Sequence, residues 1–494
     1  MYSPPQANFQ RFIASHGLVP VYRTIIADLD TPLTLFAKVA DQESHAFLFE
    51  SMEGGEKWGR YSFIGLDPLV SFESSGRTIT TRTFGAETTT TLTVGNPLEE
   101  LRHLLESFDP YRSAELPRFY GGAVGYLGYD MVRFIEEIPD RHESLDLPDS
   151  SFMIPRLVLI HDRVDQKLTI VCNVRPDPHR SAEELYGEAV GAIEQVIKRL
   201  ESPLPGYLRR GSSGCAPHVF TSNSDEASFA AMVERAREYI LAGDIFQVVL
   251  SQRFHTKTSL QPFTLYRALR HINPSPYLFY LKLGDVIQIG SSPEILVRLD
   301  GERIELRPIA GTRKRGRTEE EDLALERELL ADPKECAEHL MLVDLGRNDV
   351  GRVARGGSVR VQDLLVIERY SHVMHIVSDV HGELAPGRDQ FDVLAACFPA
   401  GTVSGSPKIR AMEIIDELEP ERRGPYAGSV GYFGFSGNMD FCITIRTFVI
   451  SGDDLWIQAG AGIVADSVPE REYEETINKA KGLRRAVELA EEGF

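Results

Sequence analysis

Apolar residues recur at helical spacing over residues 181–200, where Leu185, Ala189, Ile193, Val196, Ile197 and Leu200 share one face. The stretch that follows, SPLPGYLRRGSSGCAPH, is rich in Pro, Gly and Ser, lacks periodicity and reads as a linker. A helix start comes next: Ser222 with Asp225 three residues on, then Phe229, Met232, Val233, Ala236 and Ile240, with Gly243 as the stop. These signals divide the chain into an N-terminal part (1–201), a linker (202–224) and a C-terminal part (225–494), both parts being of domain size. Upstream, HAFLFES, RYSFIGL and the Thr-rich alternation at 78–94 predict strands. YGGAVGYLGY from Tyr120 is echoed by YAGSVGYFGF from Tyr426, and Gly repeated among aromatics predicts strands whose backbones approach closely.

Composition narrows the class. Hydrophobic content of 42% and charged content of 26% are those of an ordinary globular protein. A net charge of −20 disfavours nucleic acid and anionic membrane as partners, and it requires local positive groups for any anionic substrate. The five cysteines are scattered, which favours reduced thiols over a disulfide framework. The first residues lack a charged start followed by an apolar core, and no apolar run approaches bilayer length. The expectation is a soluble cytoplasmic protein.

The chemistry concentrates in the C-terminal part. Glu335/Glu338 and Glu472/Glu475 are two Glu-x-x-Glu pairs on predicted helices, and residues three apart share a helix face. Four carboxylates in one cleft would repel each other, but a hard divalent cation such as Mg²⁺ would make them tolerable. Either pair alone also fits a plain solvated helix face. Gln247 lies in the strand pattern IFQVVLSQRF, as a hydrogen-bonded core residue or a group aimed into a pocket. Glu294, entering the strand of SSPEILVRL, should be desolvated and suited to act as an acid; a structural ion pair is the alternative. LRPIAGTRKRG reads as a tight turn at Gly311 and Thr312 followed by a basic run, Arg313, Lys314, Arg315 and Arg317, either solvated or attracting an anion. SHVMH supplies His372 and His375, and FPAGTVSGSPK reads as a loop without Walker A spacing. Tyr426, Arg446, an Ala-Gly-Ala-Gly turn at 459–462 and Lys479 complete a Mg²⁺-dependent site for a small carboxylate substrate.

SSPEILV, RPIAGTRKRG, DPKECAEHLMLVDLGRND, SHVMH, GTVSGSPK and AGAGIVADSVPEREYEETINKA, in this order, resemble the chorismate-utilising enzymes, and among them the anthranilate synthase large-component branch. The resemblance runs over nearly the whole chain. It implies an α/β fold of the α+β type, with large antiparallel sheets flanked by helices and an N-terminal regulatory part. It also implies Mg²⁺ held chiefly by Glu338 and Glu475, supported by Glu335 and Glu472. The catalytic set would be Glu294, which helps the C4 hydroxyl of chorismate leave, with His375, Gln247 and Thr402. Tyr426, Arg446 and the backbone of Gly460, Ala461 and Gly462 would hold the enolpyruvyl carboxylate, and Gly311, Thr312 and Lys479 would line the same pocket.

Relatives that add water carry Lys where Gln247 stands, and those making aminodeoxychorismate commonly carry Lys where Ala310 stands. Gln cannot act as a base at neutral pH, so the resemblance points to direct amination by ammonia and pyruvate loss, giving anthranilate. Relatives forming isochorismate, salicylate or aminodeoxychorismate, and a silent tryptophan-sensing partner, are the alternatives. None of the five cysteines lies in a nucleophile motif, which implies a separate glutaminase subunit and a hetero-oligomer. Tryptophan feedback is also implied, with Glu50 and Ser51 of FLFESMEGG and Asn273, Pro276, Tyr277 and Leu278 of NPSPYLFYL resembling inhibitor-binding motifs.

Overall fold

The computed structural model describes residues 1–51, 59–84, 88–143, 145–209, 217–370 and 373–493. His372, Cys215, Met52–Gly55 and the middle of the expected linker lie outside the described residues. Two large antiparallel sheets share the long strands Tyr61–Ser75 and Ser150–Asp162. Pro68 and Pro155 face each other where the ladder between these strands skips register, a place where a residue without an N–H is tolerated. On one side of this break Tyr61–Ser75 pairs with His45–Glu50, and on the other with Thr78–Thr83.

The first sheet continues from His45–Glu50 through Tyr277–Leu283, Val286–Ser292, Thr447–Ser451 and Asp454–Ile463 to Gln247–Lys257. The second runs from Ser150–Asp162 through Gly122–Leu127, Ser429–Gly434, Met439–Ile443, Ile295–Asp300 and Arg303–Leu306 to Val373–Glu383. Strands from the first 201 residues therefore pair directly with strands beyond residue 224, at His45–Glu50 with Tyr277–Leu283 and at Gly122–Leu127 with Ser429–Gly434.

The period of two within strands separates the cores. Phe279 and Leu281 enter a cluster drawing on both sheets, while Leu278 and Tyr280 enter a second one. That second cluster packs the first sheet against the helices Pro32–Val39, Ala182–Leu200, Pro262–Ile272 and Pro469–Glu492. The two echoed segments are neighbours: Gly122–Leu127 and Ser429–Gly434 pair in register with Gly125 opposite Gly431. A Cβ on Gly125 would lie 2.0 Å from the Ser151 carbonyl, and one on Gly431 2.1 Å from that of Asp440, so adjoining strands leave no room for side chains.

Local readings shift in four places. The helix expected from Ser222 spans Glu226–Ala242, with Asp225 rather than Ser222 accepting from the Ser228 N–H; Gly243 ends it at φ 86°. Ser222 instead bonds Gln252 in the neighbouring strand. Gly311 and Thr312 lie not in a turn but in the strand Ile309–Lys314, where Gly311 at φ 67° marks a register irregularity. The expected turn at 459–462 is strand too, because Asp454–Ile463 pairs along its whole length with Gln247–Lys257. The expected loop before Ile409 contains a short helix, Gly401–Ser404.

Candidate active site

Two helices bring the four glutamates together. Pro333–Gly351 is capped by Asp332, whose carboxylate accepts from the N–H groups of Lys334 and Glu335, and it packs on Val373–Glu383 and Ile309–Lys314. His339, Leu342 and Gly346 are buried, while Glu335 and Glu338 look into a cavity of about 600 Å³. Pro469–Glu492 packs on Asp454–Ile463 with Thr476, Ala480 and Leu483 buried, and it turns Glu472, Glu475 and Lys479 toward the same cavity. Gln252 fixes this helix from the strand side, its Nε2 donating to Thr476 Oγ1 at 2.6 Å.

The carboxylates are held by exchangeable partners. Gln247 Nε2 donates to Glu338 Oε1 at 3.1 Å, Arg313 Nη1 to Glu335 Oε1 at 3.0 Å, and Lys479 Nζ lies 2.8 Å from Glu475 Oε1. Burial raises the Glu338 carboxyl above the ordinary range, and repulsion from Glu335 and Glu475 adds to the rise. Glu472 is also raised, by burial and then by Glu475. Among the described residues no three acidic, His or Cys side chains converge as a ready-made metal cage. The all-oxygen donor set and the mutual repulsion of these carboxylates fit a hard cation that keeps waters and takes only one or two protein ligands.

Opposite the helices stand the acid and base candidates. Glu294 is 8% exposed and its pKa is pushed up to about 8 by burial; the Thr402 hydroxyl and the Arg446 charge offset part of that rise. His375 pairs across strands with Thr312, and its Nδ1 lies 3.0 Å from Thr312 Oγ1 and 3.1 Å from the Gly311 carbonyl. A carbonyl only accepts, so Nδ1 carries the hydrogen and Nε2 is left as the basic nitrogen. Burial lowers the His375 pKa, which keeps the ring neutral.

Glycines shape the floor. A Cβ on Gly460 would meet the Tyr426 hydroxyl at 2.7 Å, and one on Gly462 would meet Gln247 Nε2 at 2.6 Å, so these two positions let both side chains lie over the strand. Burial pushes the Tyr426 phenol up to about 12, leaving it a neutral donor. Arg446 lines the cavity from a left-handed backbone conformation, φ 51°, at the corner between Met439–Ile443 and Thr447–Ser451.

Gln247, Glu294, Gly311, Thr312, Glu335, Glu338, His375, Thr402, Tyr426, Arg446, Gly460, Gly462, Glu472, Glu475 and Lys479 thus line one cavity. Ala461, fully buried, is not among its lining residues. The basic run is not among the lining residues: Arg313 reaches the cavity only through Glu335 and is also engaged by Glu328 and Asp332, and Arg315 by Asp322. Gln458 and Lys334 line the cavity without having been singled out in the sequence. Gln458 was within reach, since it shares the period-two phase of Gly460 and Gly462.

A second cavity, of about 370 Å³, gathers Glu50, Ser51, Pro276, Tyr277 and Leu278 with Arg118, Arg298, Tyr432 and Asp440. Asn273 is not among its lining residues; it caps the helix Pro262–Ile272, and its carbonyl accepts from the Ser291 hydroxyl. Arg298, Asp440 and Tyr277 bond one another, with Arg298 2.7 Å from Asp440 and the Tyr277 hydroxyl donating to Asp440 at 2.9 Å. Glu50 is held by Arg270 and by the Tyr266 hydroxyl at 2.6 Å. Glu294 joins the two cavities: it directly precedes the strand that carries Arg298, and its carbonyl accepts from the N–H of Ile443, next to Cys442 of the second cavity.

Residues 45–485 match the family model described as chorismate binding enzyme. The chain is 50% identical over 479 residues to anthranilate synthase component 1 of Aquifex aeolicus, covering 97% of this chain and 96% of that protein. It is 48% identical over 478 residues to the protein of the same name from Thermus thermophilus, covering 96% and 99%. The fold superposes on the crystal structure of anthranilate synthase component I from Streptococcus pneumoniae with a TM-score of 0.76, at 37% identity, covering 93% of this chain and 99% of that one. The menaquinone-specific isochorismate synthase MenF of Escherichia coli, at 22% identity and a TM-score of 0.69, shares the fold. By sequence and by architecture, this chain belongs to the chorismate binding enzyme family.

Proposed function

We propose that this chain converts chorismate and ammonia to anthranilate, pyruvate and water, as the large component of an anthranilate synthase. The observation that carries the reading is a single cavity holding a protonated buried acid, a neutral imidazole and two carboxylate pairs, with Gln247 and Ala310 at the positions where an amine would signal another reaction. The two amines that do line it are engaged, Lys479 by Glu475 and the Gly460 carbonyl, Lys334 by Asp466. The nucleophile therefore comes from outside the chain, and ammonia needs no base to activate it.

Arg446 and the Tyr426 hydroxyl supply a fork and a donor for the enolpyruvyl carboxylate. Mg²⁺ among Glu338 and Glu475, supported by Glu335 and Glu472, would neutralise their charge and polarise the ring carboxylate of the substrate. Glu294, protonated at neutral pH, gives its proton to the C4 hydroxyl, which leaves as water while ammonia bonds to the ring carbon beside the ring carboxylate. The ammonium so formed returns a proton to the Glu294 carboxylate. His375 Nε2 then takes the proton from that carbon as the ring C–O bond breaks and the ring becomes aromatic. The released enolpyruvate takes up a proton at its methylene carbon to become pyruvate, leaving His375 neutral again. A separate glutaminase subunit supplies ammonia. Tryptophan binds the second cavity, whose aromatic walls and internally paired charges suit an aromatic amino acid, and lowers activity from there.

Incubation with chorismate, Mg²⁺ and ammonium salt should give anthranilate fluorescence and one pyruvate per anthranilate. A folded, metal-loaded protein that leaves chorismate unchanged under these conditions, or that yields isochorismate, would refute the reading.

A further inference from the structure

Beside the catalytic cavity lies a smaller one of about 240 Å³, and Tyr426 and Gln458 line both. We propose that Arg423, gripped by Glu419, is a positioning residue that holds this shared partition and thereby sets where the Tyr426 hydroxyl meets the substrate. The inference rests on chorismate being the substrate of the larger cavity.

The Arg423 side chain is among the largest fully buried in the molecule. Its Nε and Nη2 donate to the two oxygens of Glu419 at 2.9 and 2.6 Å, a bidentate pair. Two more of its donors go to the cavity wall: Nη1 to the Val403 carbonyl at 2.7 Å and Nη2 to that of Val249 at 2.6 Å. Val249 and Val403 both line the catalytic cavity, on segments more than a hundred residues apart in the chain. Glu419 Oε1 further accepts from the N–H and the hydroxyl of Ser251 at 2.7 and 2.8 Å, and that hydroxyl accepts from Gln458 Nε2 at 2.9 Å. The guanidinium carbon stands 5.6 Å from the Tyr426 ring centroid and 4.8 Å from that of Tyr129.

One ion pair thus ties together the strand behind Gln247, the segment after Thr402, Gln458 and Tyr426. Stability alone is a poor reason to keep such a pair, because desolvating both charges cancels most of their attraction and apolar replacements are often as stable. Geometry is the better reason. The Tyr426 hydroxyl rests over Gly460, which offers it no side chain, so its aim depends on what stands behind the ring.

The test is a double-mutant cycle of Arg423→Lys with Tyr426→Phe, read as KM for chorismate, kcat and thermal midpoint at saturating Mg²⁺ and ammonium. Arg423→Lys should raise KM about tenfold while kcat changes by less than about threefold; in the Tyr426→Phe background the same substitution should raise KM less than about threefold, because the hydroxyl it would place is gone. Equal KM effects in both backgrounds, or a lowered midpoint with KM unchanged, would overturn the proposal. Glu419→Gln, which keeps the guanidinium and loosens its grip, runs the same cycle if Arg423→Lys does not fold, with the same two outcomes deciding. A wild-type protein inactive on chorismate would sink the functional reading and this inference together; an active wild type with an additive cycle would sink only the inference.

Discussion

The two cavities divide their polar groups in opposite ways. In the larger one, like charges face one another and their partners are replaceable: an amide on Glu338, a lysine on Glu475, an arginine on Glu335. In the smaller one, opposite charges are closed on each other, Arg298 with Asp440 and Tyr277, Glu50 with Arg270 and Tyr266, and the surface left to a ligand is largely aromatic and aliphatic. On the proposed reading, the crowded carboxylates of the first are what a cation would neutralise. Closed networks in the second fix the shape of a slot without changing it chemically. On the proposed reading, the contrast separates a site that does chemistry from one that only binds.

Breaking the first arrangement should cost most. Glu338→Gln or Glu475→Gln should lower turnover by about a thousandfold or more while circular dichroism and thermal midpoint stay near wild type, because a carboxylate that would hold the cation is lost from a site that already carries excess negative charge. Wild-type turnover in either would contradict the metal assignment.

Glu294 gives a pH test with a definite sign. In the proposed mechanism its acid form does the work, and its pKa is pushed up to about 8, so kcat should fall as pH rises through that value. The folded chain also holds this proton where the unfolded chain, near the ordinary pKa of 4.5, has released it. The stability it contributes is therefore full below that lower value and is lost as pH rises toward about 8. Glu294→Gln should abolish turnover and flatten the thermal midpoint over that window; an unchanged slope would place the titrating group elsewhere.

The smallest effect on catalysis should come from the second cavity. Ser51→Ala should weaken tryptophan inhibition about tenfold and leave kcat without tryptophan within about twofold, the loss of one hydrogen bond in a binding slot. Inhibition curves that superpose on wild type would remove Ser51 from the regulatory site.

Much of this contrast was legible in the chain. The glutamate pairs announced themselves by their three-residue spacing, and Glu294 by a carboxylate set against Ile, Leu and Val. The readings that shifted depended on partners distant in sequence. The Gly-rich 459–462 stretch becomes strand only because residues 247–257 lie beside it. The basic run could not be seen as engaged, since Arg313 finds Glu328, Asp332 and Glu335 only once two helices have docked. The second cavity takes Arg298, Tyr432 and Asp440 from strands that no local pattern links to Ser51. Pairing between strands of the two halves, and the Arg423–Glu419 clamp, belong to the same class of tertiary facts.

Whether the two carboxylate helices share one cation is tested most directly by diffraction from crystals soaked in Mn²⁺, with data collected for its anomalous signal. One peak about 2.1 Å from carboxylate oxygens of both Glu338 and Glu475 is expected, the short contact of a small hard cation. A peak held by one helix alone, or none in the cavity at saturating Mn²⁺, would contradict the account.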